Sequence, residues 1–182
     1  MLPKRNLLVL VVTAAILLVL LTGCSSDNST TLPGEKELTP SSDNQLTAEQ
    51  LYFRTDNGEG GVQVGVLWAA PEYFRLTNQE ELITELDLED NLVFEISMTT
   101  HSGDLSNFPV LEKTQLTVDG VALKPIKWEV LSNSSHHPAG MLFFPAKDED
   151  GNPVLKANSV IELNLKDLKG IPDRKFVWKL PL

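Results

Sequence analysis

Three histidines, His101, His136 and His137, and two internal methionines, Met98 and Met141, fall in two short segments of the chain. The segments read Met98-Thr99-Thr100-His101 and His136-His137-Pro138-Ala139-Gly140-Met141. Neutral imidazole ligates zinc and copper, and imidazole together with thioether suits copper, cuprous copper above all. Asp104 follows His101 closely enough to add a carboxylate. Strand parity divides this set. If residues 92–98 alternate as a strand, Met98 shares a face with Phe94 and Ile96 and packs in the core, while His101 lies on the face of Glu95 and Ser97. Met141 and Phe143 likewise share a face that reads as core. His136 and His137 point apart in an extended chain, and Pro138 holds His137 extended. The candidate metal site is therefore His101 with His136 or His137, completed by Asp104, with Met98 and Met141 as weaker members and zinc or copper as the ion. The alternative is that the histidines are hydrogen-bonded to backbone and serve structure, in a module that binds protein.

Other chemistries fit less well. Asp148-Glu149-Asp150-Gly151-Asn152 opens like a calcium loop, but Gly151 stands at the fourth position and Ser159 where a bidentate Glu is needed. It reads as a hairpin turn. His101, Ser102 and Asp104 are too close in sequence to meet as a triad, and there is no G-x-S-x-G, Walker A, G-x-G-x-x-G or H-E-x-x-H pattern. Trp68, Trp128 and Trp178 each sit in an apolar run, which favours core packing over sugar stacking. No enzyme is expected.

The compartment is read from the N-terminus. Met1 to Asn6 is short and basic, and Leu7 to Leu21 is an uncharged apolar run of signal-peptide length, short of the ~20 residues a spanning helix needs. It ends in Leu21-Thr22-Gly23-Cys24, which resembles the lipobox of bacterial lipoprotein precursors. That resemblance implies diacylglycerol on the Cys24 thiol, cleavage just before it, and anchoring on the extracytoplasmic face of a membrane by two or three acyl chains such as palmitate. Cys24 is the only cysteine, so no intramolecular disulfide can form. Exported immunoglobulin-like copper carriers binding through His and Met resemble this chain in compartment, size and ligand inventory. Their ligand spacing is absent here, so none of their binding residues carries over.

Lys4 and Arg5 lie in the leader with no acid beside them, so its removal takes the formal charge from −10 to −12. An acidic chain is repelled by nucleic acid and by anionic lipid, and neither is expected as a partner. The membrane is met through the N-terminal lipid alone.

Three regions follow: residues 1–23 as lipoprotein signal peptide, 24–45 as a flexible tether rich in Ser, Thr, Asn, Asp and Pro, and 46–182 as the folded domain. Within the domain, short apolar runs bounded by turn formers predict strands. They include 51–54, 61–68, 92–98, 115–118, 121–123, 128–131, 141–144, 160–165 and 176–180. Asp119-Gly120 is a two-residue hairpin signal. One short helix is predicted near 78–86, with Thr77 as its cap. So many short strands point to an all-β, antiparallel, immunoglobulin-like sandwich, with a closed β-barrel as the alternative. Finally, Thr100-His101-Ser102, Trp128-Glu129 and the run His136 to Phe144 together resemble a pattern in a group of uncharacterised exported bacterial proteins. The likeness spans residues 92–145 and implies that the histidine segments form one site, without naming a ligand.

Overall fold

The structure is a computed structural model and describes residues 46–182. The segments expected to be signal peptide, lipobox with Cys24 and tether lie outside the described residues. Among those described, no helix is long and apolar enough to cross a membrane.

The chain opens with helix α1 (Ala48–Tyr52), whose start is closed by a capping box: Gln50 N–H donates to Thr47 Oγ1, and Thr47 N–H to Gln50 Oε1. Then come β1 (Phe53–Thr55), β2 (Val62–Trp68), helices α2 (Pro71–Leu76) and α3 (Glu81–Glu85), and β3 (Asn91–Thr100). Helix α4 (Val110–Lys113) precedes β4 (Thr114–Val118), β5 (Val121–Leu123), β6 (Lys127–Asn133), β7 (Pro138–Pro145), β8 (Val160–Leu168) and β9 (Ile171–Lys179). All pairings are antiparallel. One sheet runs β1-β2-β3-β7-β6 and the other β5-β4-β8-β9. The fold is thus the expected antiparallel sandwich of two sheets, and neither sheet closes on itself as a barrel would.

The inner faces follow from period-two alternation. Val64, Val66 and Trp68 of β2 stand opposite Met98, Ile96 and Phe94 of β3. Facing them from the second sheet are Leu116, Leu163, Phe176 and Trp178, all buried. Trp178 is held between Trp68 and Phe94, and its indole N–H donates to Tyr52 O at 2.9 Å. The outer face of the first sheet is buried too, at Leu67, Val93, Glu95 and Met141.

The helical content departs from expectation in four places, one of them α4, where no helix was expected. Leu51 and Tyr52 belong to α1, because the capping box starts a helix that the apolar run 51–54 alone does not reveal. Two helices, not one, join β2 to β3. Thr77 ends α2, its hydroxyl donating to Tyr73 O at 2.9 Å, so it does not cap α3. Pro71 at the first turn starts α2. The Asp119-Gly120 hairpin forms as read, with both residues at positive φ, 51° and 82°.

Candidate functional site

β3 separates two regions that bear on function. Its ten residues span about 30 Å, with Asn91 at one end and Thr100 at the other.

At the Thr100 end lie the histidines. Thr100 N–H donates to His136 O at 3.0 Å, and Leu105 N–H to Ser135 O at 2.9 Å. These bonds bring the loop after β3 against the turn before β7, so the two histidine segments are neighbours, as the sequence pattern implied. Their side chains do not converge. His101, His136 and His137 are all exposed. His137 Nδ1 lies 3.4 Å from Thr99 Oγ1, whereas His136 is near Asp104. Among the described residues, no hydrogen bond joins His101 to either of the other two, and no three His, Cys, Asp or Glu side chains stand where they could share a metal ion.

Asp104 is engaged elsewhere. Its Oδ1 accepts from Ser106 Oγ at 2.7 Å and from Ser106 N–H at 2.8 Å. These bonds hold its carboxyl below the usual carboxylate range, with smaller help from His136 and Lys169. The Lys169 ammonium lies directly over Gly103. A fixed positive charge beside Asp104 opposes a second cation there.

The two methionines are withdrawn from any site. Met98 is 2 % exposed and points into the inter-sheet core opposite Val64. Met141 is 1 % exposed and pairs with Glu95 on the other face of the same sheet. They occupy opposite faces because Met98 shares parity with Phe94, whose partner is Leu142. Gly140 sits under the Trp128 ring: a Cβ there would stand 2.5 Å from Trp128 Cζ2 and from Glu129 O.

At the Asn91 end the sandwich opens into a groove of about 640 Å³. Five stretches of chain build it: Tyr52, Trp68–Glu72, Leu88–Leu92, the loop between β7 and β8, and Leu180–Leu182 after β9. Its lining is dominated by Trp68, Tyr52, Leu92, Leu155 and Leu180, with Glu72, Glu89 and Lys147 at the mouth. Sequence reasoning did not find it. The contributing residues are ordinary apolar types scattered over some 130 positions, and only the fold gathers them.

Near this end, on the outer face, Glu95 is a buried carboxyl between Leu67 and Met141. Its Oε2 has no hydrogen-bond partner, and burial pushes its pKa up to about 8. It stays protonated at neutral pH. The Tyr73 hydroxyl of α2 is pushed up to about 12, chiefly by burial and further by the charges of Glu49 and Glu95.

No family model, curated protein or solved structure matches this chain.

Proposed function

We propose that this chain is a lipoprotein anchored through Cys24 on the extracytoplasmic face of a membrane, whose domain binds a macromolecular partner and catalyses nothing. The observation that carries this reading is the apolar groove at the Asn91 end of the sandwich. Concave apolar surface with a few polar groups at its rim is the usual form of a binding site. Among the described residues of the lining, the titratable side chains are Tyr52, Glu72, Glu89 and Lys147, and neither histidine nor cysteine is among them.

In-cell photo-crosslinking tests the reading. A photoreactive amino acid at Glu89, in the groove, is expected to give a discrete adduct, and one at Thr117 on the far sheet none. Equal labelling from both positions, or none from Glu89, overturns it.

A second reading keeps the histidines as a metal module. It is favoured by the backbone bonds that set the two histidine segments side by side. His101 with His136 or His137, completed by Asp104 and water, would form a zinc or copper shell after side-chain rearrangement. Neutral imidazole is required, so protons compete with the metal for the site. Calorimetric titration with Zn(II), Cu(II) and Cu(I) separates the readings. Affinity no tighter than about millimolar, unchanged by His101→Ala or by the double change at His136 and His137, removes the metal module.

A further inference from the structure

We propose that the groove takes a peptide segment whose apolar side chains are flanked by lysine or arginine. The proposal rests on the binding-module reading above and adds the chemistry of the partner.

The groove floor is apolar and offers few donors. Pro71, Pro153 and Pro181 lie in its lining and carry no N–H. A sugar or nucleobase, recognised through many directed hydrogen bonds, would leave its polar groups unpaired there. Apolar side chains would not.

The lining carries two carboxylates, Glu72 and Glu89, and its lysine among the described residues, Lys147, is already engaged. Lys147 Nζ donates to Asp90 Oδ1, and Asp90, Glu89 and Asp87 all raise the Lys147 pKa. Arg75 is bound to Glu72 at 2.6 Å. Among the described residues this leaves Asp87 and Glu89 with no ion-pair partner. Both are exposed, and Glu89 lines the groove itself. The acidic turn Asp148-Glu149-Asp150 adjoins Lys147 and adds the same sign. A fatty acid or anionic lipid entering this groove would bring its charged head against that rim. A cationic segment would be drawn to it, with charge steering the encounter and apolar contact holding the complex.

The full chain in phosphatidylcholine nanodiscs, titrated against fluorescein-labelled peptides, tests the proposal. The probes are Lys-Lys-Leu-Phe-Leu-Lys-Lys and its counterpart with Glu in place of every Lys. The lysine peptide should bind about tenfold or more tightly than the glutamate one, and added salt should narrow the gap. Glu72→Lys with Glu89→Lys should reverse the preference. Both are exposed positions, so far-UV circular dichroism should be unchanged. Ala157→Trp, an exposed position on the groove wall, should abolish binding of the lysine peptide by filling the space. Equal affinity for the two peptides overturns the proposal, as does binding that survives Ala157→Trp. Oleate binding that Ala157→Trp abolishes and the charge reversal leaves unchanged would also overturn it, assigning the groove to an acyl chain. Failure with the Glu89 crosslink intact refutes the chemistry alone, whereas loss of the crosslink removes the binding module too.

Discussion

Arg174 of β9 reaches from the second sheet to form a buried ion pair with Asp56, in the turn that joins β1 to β2 of the first. Arg174 is 4 % exposed and also donates to Val62 O and Glu59 O, while Asp56 Oδ1 accepts from Val64 N–H at 2.9 Å and Gly58 N–H at 3.1 Å. One side chain thus ties the β1–β2 turn to the opposite sheet. Arg174→Leu leaves a carboxylate and two carbonyls without their donor, and should cost about 3–5 kcal/mol. Asp56→Asn keeps an acceptor for both backbone groups and should cost less. Urea unfolding measures both. A loss below about 1 kcal/mol for Arg174→Leu would show that water replaces the guanidinium freely.

Glu95 sets a pH dependence of opposite sign to that of an ordinary acid. Unfolded, it ionises near 4.5; folded, near 8, because burial disfavours the charge. Below 4.5 both states hold the proton. Between the two values only the unfolded state has released it, so this group's contribution to stability falls as pH rises, by up to about 1.4 kcal/mol per unit, and levels off above about 8. Its cross-strand partners, Leu67 and Met141, are both apolar. Glu95→Gln should match wild type near pH 4 and gain on it steadily toward pH 8. A constant difference between the two across that range would mean that Glu95 titrates normally.

Gly140 is required for lack of space, not for backbone freedom. A methyl there meets the Trp128 ring and the Glu129 carbonyl. Gly140→Ala should therefore lower stability by about 1–3 kcal/mol and disturb Trp128. Trp128→Leu in the same background should recover part of the loss. Additive losses in the double variant would place the strain elsewhere.

Cys24 carries the anchoring proposal. Cys24→Ala should abolish fatty-acid labelling and leave the uncut precursor, since the proposal makes its thiol the acylated group. Equal incorporation of label into wild type and variant would exclude lipidation at this position.

Much of this protein was legible before its fold. The strand at 92–98 announced itself by alternation, those at 115–118 and 121–123 by the Asp119-Gly120 turn between them, and 160–165 as a short apolar-rich run, because all these signals are local. The burial of Met98 followed from its parity with Phe94 and Ile96. Helix α2 was less legible because Tyr73 and Phe74 offer an apolar pair too short to show a helical period, and Thr77 is as good a terminator as a cap.

Non-local contacts decided the rest. The two histidine segments do meet, but a meeting of backbones does not aim side chains, and His136 and His137 face different neighbours while Lys169 closes over Gly103. The groove needed Tyr52, Leu92, Leu155 and Leu180 brought together from four segments. Likewise nothing in Glu95 or Arg174 as residue types distinguishes a buried group from a solvated one. Sequence alone determined the alternation that builds two sheets; which charges and hollows those sheets enclose depends on how they stack, a property of pairs far apart in the chain.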